Sequence, residues 1–261
     1  MNFSESFKQA FDSLKSNKLR SILTMIGIIM GVFSVITIVA IGSAAEAYMS
    51  AQFEKIGANT ITIEYKTMNT NQSEWLTLED METVKKAAPE IKNIATYIQR
   101  SGSVRVGSKT RDSIVFGVSS QYKNFDLIEM AAGRFINDFD VSARAKVIIV
   151  DEFFAKKYFN RVDIVGEVIP FRTSWGASVN LKVIGVKKGG DDLFNSMMNN
   201  DNFPTITYMP ITTLQNVFFN MKRLDSIMVS VVEKDKLRDI GERIVKALEL
   251  QQNKKDLYMA R

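Results

Sequence analysis

The sequence holds no cysteine and no histidine. Without cysteine there is neither a disulfide staple nor thiol chemistry, although this leaves the compartment open. Without histidine the commonest general base, the commonest zinc ligand and any Ser–His or Cys–His nucleophile pair are gone. No G-x-x-x-x-G-K-[ST] stretch occurs, so the chain does not hydrolyse ATP by that route. Nor does any G-x-S-x-G mark a nucleophile elbow. A strong charge of one sign is missing too: 34 Lys+Arg stand against 29 Asp+Glu, and the net +5 is spread rather than clustered, which is no nucleic-acid footprint. Asp138 with Asp140, and Asp191 with Asp192, are acidic pairs outside any EF-hand spacing, and they read as solvated loop carboxylates. The expectation is a protein that is not an enzyme, with no cofactor, no metal and no nucleic-acid partner.

What the chain does have is one long apolar run. Ile22 to Ile41 (ILTMIGIIMGVFSVITIVAI) carries no charge. As a helix it spans roughly 30 Å, the thickness of a bilayer's hydrocarbon core. Its Ile, Val, Leu and Phe residues favour insertion by about 4–7 kcal/mol before Gly, Ser and Thr subtract some of that. A core helix of a soluble protein is normally shorter or carries a polar stripe. Before the run, Phe3, Phe7, Phe11 and Leu14 recur at helical spacing among Lys8, Lys15, Ser4 and Asp12, which predicts an amphipathic helix on the membrane surface. Lys8, Lys15, Lys18 and Arg20 precede the run, whereas Glu46, Glu54 and only Lys55 follow it, so the positive-inside rule puts the N-terminus in the cytoplasm. A cleaved signal peptide competes, since Ala45-Glu46-Ala47 has the small-x-small form, but the run exceeds a signal core and the tail before it is long. Gly27, Gly31 and Ser34 share one face and are candidates for packing against another membrane helix. Helix formers continue from Gly42 to about Lys55 as a stalk, with Gly57 as its stop.

Beyond the stalk the pattern is α+β. Thr60 to Tyr65 alternates as a strand. Thr77 with Asp80 resembles a capping box with Asp in place of Glu, and Met81, Val84, Lys85 and Ala88 continue a helix that Pro89 ends. Ile91 to Gln99 and Ser103 to Val106 read as strands, and Gly107-Ser108 turns a hairpin into Arg111 to Val118. A similar β-α-β unit closes the chain: Ser226 to Val232, an amphipathic helix from Lys236 to Leu250, and Leu257 to Ala260. Two such units at the ends suggest a pseudo-repeat whose strands share one sheet, with the middle inserted. In that middle, Lys146 to Val150 is a buried-type strand and Asp151 caps a helix. Gly166 to Phe171 and Val179 to Val186 flank a turn at Ser174-Trp175-Gly176. Phe194, Met197 and Met198 lie in a polar Gly/Asn-rich stretch and fit one short helix, either docked on its own sheet or free as a flap for a partner. Trp175 at its hairpin tip suits a partner anchor or an inward-folded side chain equally.

KLRSILTMIGIIMGVFSVITIVAIG (Lys18 to Gly42) closely resembles the first transmembrane helix of MacB-type permeases of ABC transporters, the macrolide-exporter and FtsX-like group. The resemblance continues, in the family's order, through IGANTITI (Ile56 to Ile63), TLEDMETVKKAAPEIKNIA (Thr77 to Ala95), AGRFINDFD (Ala132 to Asp140), AKVIIVDEFFAKKYF (Ala145 to Phe159), VGEVI (Val165 to Ile169), LKVIGV (Leu181 to Val186) and YMPITTLQ (Tyr208 to Gln215). It implies a porter-like subdomain of β-α-β units interrupted by a mostly β, Sabre-like subdomain. The expected division is a cytoplasmic amphipathic helix over 1–21, a transmembrane helix over 22–41 and a stalk over 42–57. The porter-like part then covers 58–112 and 225–261, and the Sabre-like insertion 113–224. The resemblance further implies an ABC ATPase subunit as partner, a second protomer or further permease helices beside the span, and a membrane-fusion or adaptor protein outside. Its mechanism would be mechanotransmission, with ATP hydrolysis by a separate subunit driving export or other extracytoplasmic work. Family members carry three more membrane helices after the outer domain, so the chain is expected to be a fragment, an engineered truncation or part of a split permease. The rival reading is a single-span, membrane-anchored sensor or binding protein for a peptide or lipid. In either case the expected location is the cytoplasmic membrane, with the main domain extracytoplasmic.

Overall fold

The computed structural model describes residues 9, 17–55, 59–67, 71, 74–126, 128–189, 203–232 and 234–261. It divides into two units, residues 1–55 and 56–261, and each is described by itself.

The first unit is helix α1, Lys18–Lys55, which is unbroken. At ~1.5 Å per residue it is about 57 Å long. Its apolar side chains are exposed on every side, so no single face marks it as a surface helix of a soluble core. Its hydroxyls bond back along the helix: Ser34 Oγ donates to the Met30 carbonyl at 2.8 Å and Thr37 Oγ1 to the Phe33 carbonyl at 2.8 Å. That arrangement leaves no free hydroxyl donor at those two positions, as an apolar solvent requires.

The second unit begins with β1 (Thr60–Tyr65), helix α2 (Asp80–Ala87), β2 (Ile91–Val106), β3 (Lys109–Val118) and β4 (Met130–Gly133). It continues with α3 (Asp138–Ser142), β5 (Val147–Asp151), α4 (Glu152–Phe159), β6 (Val168–Thr173) and β7 (Ser178–Lys187). It ends with β8 (Thr205–Pro210), α5 (Ile211–Val217), β9 (Ser226–Val231), α6 (Leu237–Gln251) and β10 (Tyr258–Ala260). Among the described residues all ten strands join one mixed sheet in the order β10-β1-β9-β2-β3-β8-β5-β7-β4, with β6 pairing both β2 and β7. The strands of the two terminal β-α-β units thus lie side by side.

Because β6 returns to β2, the path β2-β3-β8-β5-β7-β6 closes on itself as a six-stranded ring. One link is narrow, the single pair Ile149↔Tyr208 between β5 and β8. Residues 112 and 113, either side of the expected division between porter-like part and insertion, both lie in β3, which pairs with β2 from Lys109 to Val118. The strand pair read at Ile91 to Gln99 and Ser103 to Val106 is one continuous strand of 16 residues. Polar Arg100, Ser101 and Gly102 look like a break, but their pairing with Val115, Ile114 and Ser113 runs straight through.

The two edges of β2 carry different neighbours. Residues 91–97 pair with β9, and Gly102, Ser103 and Val104 pair with β6. Between them Asp225, just before β9, fills the gap. Its carboxylate accepts from the Gln99 N–H at 2.6 Å and pairs with Arg100 at 2.9 Å, while its own N–H donates to the Tyr97 carbonyl at 3.2 Å.

Val84 of α2 and Ile240, Ile244 and Leu248 of α6 bury their apolar stripes with Ile61, Ile63, Ile227 and Val229 of the strands. This core is continuous with Val104, Val115, Ile148, Phe171 and Leu181 of the ring. A separate cluster gathers Val118, Tyr122, Phe125, Ile136, Ile149, Ile184 and Tyr208. The strand ends are tied by two tyrosines. Tyr65 OH accepts from the Leu76 N–H at 2.6 Å and donates to the Leu224 carbonyl at 3.1 Å, and Tyr258 OH donates to the Glu74 carbonyl at 2.7 Å. Burial pushes the Tyr65 phenol up to about 12, so it stays a neutral donor.

Ring closure at β2–β6 depends on Gly102. A Cβ there would lie 2.7 Å from the Arg172 carbonyl oxygen and against the Phe171 ring. Gly102→Val should therefore lower the unfolding midpoint of the full chain by about 5 °C or more, an overpacking cost of roughly 1–3 kcal/mol. Ser101→Val, one residue away on an exposed face, should change it by less than about 2 °C. Thermal unfolding followed by circular dichroism checks both; equal effects would remove the closure argument.

Candidate functional site

The residues singled out from the sequence fall in separate places. Gly27, Gly31 and Ser34 line one face of α1, and a Cβ added at either glycine meets nothing within 4 Å. Trp175 stands at the tip of the β6–β7 hairpin with 76% of its surface exposed, so the inward-folded alternative is not adopted. Phe3, Phe7, Phe11, Phe194, Met197 and Met198 lie outside the described residues, as do Asp191 and Asp192. Asp138 and Asp140 differ from the solvated pair expected. Asp138 is exposed and bonded by Ser120 Oγ, but Asp140 is buried.

Asp140 fixes helix α3, which lies against α5. Asn137 Oδ1 accepts from the Asp140 N–H at 2.9 Å, and Asp140 Oδ2 accepts from the Asn137 N–H at 3.0 Å, a capping box on α3. Arg134 adds a two-pronged ion pair, Nη1 to Oδ2 at 2.5 Å and Nη2 to Oδ1 at 3.0 Å. The Arg134 guanidinium holds the Asp140 carboxyl below the usual carboxylate range, with the Asn137 N–H assisting against burial. Helix α3 is then stitched to α5: Thr212 Oγ1 donates to the Val141 carbonyl and Thr213 Oγ1 to the Ala145 carbonyl at 2.8 Å.

The opposite wall is the start of α2. There the buried Asp80 accepts from the Thr77 N–H at 2.7 Å and from Thr77 Oγ1 at 3.0 Å, and Gln251 of α6 donates to its other oxygen at 2.8 Å. Between these walls lies a cleft of about 440 Å³, lined among others by Thr77, Glu79, Arg144, Gln215, Asn220 and Lys222. Gln215 Nε2 donates to the Lys222 carbonyl at 3.2 Å, which pins the turn after α5.

Three features of this cleft were not read from the sequence. Arg144, Phe219 and Asn220 have φ of 51°, 60° and 56°, a left-handed conformation costing about 1–3 kcal/mol for side chains other than Gly or Asn. Phe219, which precedes the lining residue Asn220, is 75% exposed. Among the described residues, neither Arg144 nor Lys222 has an ion-pair partner. Phe218 is buried while Phe219, its neighbour, turns out, and no sequence pattern distinguishes the two. The described residues contain no group of three or more metal-ligating side chains, and the cleft presents polar and charged side chains, Glu79, Arg144 and Lys222 among them.

The family profile of the MacB-like periplasmic core domain matches residues 21–247. The macrolide export ATP-binding/permease protein MacB of Escherichia coli (strain K12) is 26% identical over 261 residues, covering 98% of this chain and 39% of that protein. The protein of the same name from Shigella flexneri gives the same figures. The chain thus spans 39% of the length of these curated relatives. Two solved structures share the fold. The extracellular domain of the noncanonic ABC-type transporter YknZ from Gram-positive bacteria superposes with a TM-score of 0.63 at 19% identity, covering 78% of this chain and 100% of that one. The periplasmic region of MacB from Actinobacillus actinomycetemcomitans gives 0.63 at 21% identity, covering 80% and 90%.

The Asp140 arrangement yields a pH test. Because its folded pKa is depressed, the stability it adds is present above the unfolded value near ~3.9 and is lost as pH falls through the folded value. Asp140→Asn should cost about 2 kcal/mol at pH 7, and the gap between variant and wild type should close progressively below about pH 4. Denaturant unfolding at several pH values measures it; a gap independent of pH would rule out the ionised pair as its source.

Proposed function

The chain belongs to the MacB-like periplasmic core domain family, and on that premise we propose that it is the N-terminal part of a MacB-like ABC transporter permease. In this reading α1 crosses the cytoplasmic membrane once, with the N-terminus inside and residues 56–261 outside. A separate ABC ATPase hydrolyses ATP in the cytoplasm, and this chain, itself non-catalytic, passes the resulting motion outward by mechanotransmission. The work done outside is export or a related task. A second copy of the protomer, or further permease helices, covers the face of Gly27, Gly31 and Ser34, and a membrane-fusion or adaptor protein meets the outer domain. Trp175, exposed at its hairpin tip, is one anchor for such a partner.

The observation that carries the reading is α1 itself. Among the described residues it is the one helix long and apolar enough to cross a membrane, and it runs unbroken to Lys55, well past its apolar stretch. A helix without a break transmits tilt or translation along its whole length, whereas a hinge would absorb it. We assign 58–112 and 225–261 to a porter-like part and 113–224 to a Sabre-like insertion. The division is supported by β10, β1, β9 and the first half of β2 forming one edge of the sheet, with the ring following.

The absence of cysteine makes the topology directly testable. Ser174→Cys should react with a membrane-impermeant maleimide in intact cells, and Ser4→Cys only after permeabilisation; the reverse pattern would sink the orientation. Co-purification of an ATPase from native membranes supports the coupling, and its reproducible absence favours an anchored sensor instead. In the full-length protein, Gly31→Leu should cut export about tenfold by overpacking a close helix contact while leaving the outer domain folded. Wild-type export by that variant would remove the packing claim.

A further inference from the structure

From Ser13 to Ala45 the chain holds no carboxylate, and its cations in that stretch, Lys15, Lys18 and Arg20, all stand at one end. Lys18 and Arg20 lie in the first turn of α1, which carries no acidic residue, and both are exposed. Among the described residues neither has an ion-pair partner. At about 100° per residue, Leu19 and Leu23 stack into one ridge about 40° wide, with Lys18 and Arg20 on its two sides. Both leucines are exposed, and these four residues line one open groove together with Asn17 and Thr24. Thr24 Oγ1 is already spent, donating to the Arg20 and Ser21 carbonyls at 3.0 Å. Arg20 and Lys18 precede the apolar run at Ile22 by two and four residues, about 3 and 6 Å along the axis. A headgroup layer is about 5–8 Å deep, half the difference between the whole bilayer and its hydrocarbon core.

We propose that the start of α1 is a binding site for an anionic phospholipid of the cytoplasmic leaflet, with the lipid phosphate between Lys18 and Arg20 and an acyl chain along Leu19 and Leu23. The inference rests on the reading in which α1 crosses the membrane with its N-terminus inside. Position and charge together set the occupant. At this depth the groove opens onto lipid, and the nearest acidic residue in sequence, Asp12, lies six residues before Lys18. A zwitterionic headgroup brings its own ammonium to the phosphate, whereas phosphatidylglycerol presents negative charge that nothing in the lipid opposes. Long Lys and Arg side chains reach the phosphate level while their methylene stems stay among apolar groups. A lipid held there fixes the depth at which α1 starts, the end from which the proposed motion enters.

The full chain in neutral detergent micelles, given equimolar phosphatidylglycerol and phosphatidylcholine with the same acyl chains, tests this by native mass spectrometry of the lipid retained. Phosphatidylglycerol should be retained about tenfold over phosphatidylcholine, and the ratio should shrink in high salt. Lys18→Gln combined with Arg20→Gln should bring the ratio to within about twofold of unity, whereas Lys18→Arg with Arg20→Lys should keep it. Leu19→Asn with Leu23→Asn should lower retention of both lipids together. Lys85→Gln with Lys86→Gln, on α2 of the outer unit, should leave the ratio unchanged. Equal retention of the two lipids by the wild type, or a preference that survives the loss of Lys18 and Arg20, overturns the proposal. So does a preference that the Lys85 and Lys86 changes remove just as well, which would make it a general effect of charge. If the maleimide pattern at Ser4→Cys and Ser174→Cys holds while the preference is absent, the topology stands and this site alone falls. Labelling of Ser4→Cys from outside would remove the topology, and the cytoplasmic site with it.

Discussion

The outer unit is organised by a single strand with two sets of neighbours. β2 pairs with β9 over its first part and with β6 near its end, and on its other edge it holds β3 from Tyr97 onward. A strand that belongs to both an open sheet and a closed ring fixes the register of each against the other, since a slip by one residue would turn every side chain to the wrong face. The handover is where such a design is weakest, because the edge amides between β9 and β6 have no strand opposite. Asp225 supplies the missing acceptor for Gln99, and Arg100 neutralises it. Gly102 then lets β6 approach under the Phe171 ring. The ring removes edges that would otherwise template aggregation, leaving β10 and β4 as the outer strands.

Much of this was legible because it is local. The apolar run at Ile22 to Ile41 needs no tertiary partner to declare itself, and the helix extends through it to Lys55. Gly107 between Val106 and Lys109 has φ of 60°, as the hairpin required. Asp151 accepts from the Phe154 N–H at 2.6 Å as the cap read from its position. The alternation of β1 appears as Ile61, Ile63 and Tyr65 buried, with Thr60, Thr62 and Glu64 half-buried.

What stayed hidden depends on residues far apart in sequence or on backbone conformation. Nothing near Gly102 announces Phe171, so the strand was read as two, with Arg100–Gly102 between them. The closing of β6 onto β2 has no periodicity of its own. Asp140 is a different kind of miss. Asn137 three residues before it already had capping-box spacing, and Arg134 lay within reach, so a buried pair was readable where solvated carboxylates were expected. The left-handed backbone at Phe219 leaves no trace in a sequence pattern, because residue type argues against it.

That last point bears on how the cleft holds its shape. A strained turn relaxes unless its surroundings over-determine it. Here α3 is fixed by a reciprocal cap and an ion pair, α5 is bonded to α3 through Thr212 and Thr213, and Gln215 grips the turn from within at Lys222. Across the cleft, Asp80 joins Thr77 to Gln251 of α6 and so anchors the α2 wall to the sheet's other helix. Each wall is therefore tied to its neighbours by side chains of which Thr77, Thr212 and Gln215 also line the opening. The same side chains thus hold the walls and shape the opening, and the satisfied buried groups behind them, Asp80 and Asp140, carry the cost of the left-handed backbone at Arg144 and Phe219.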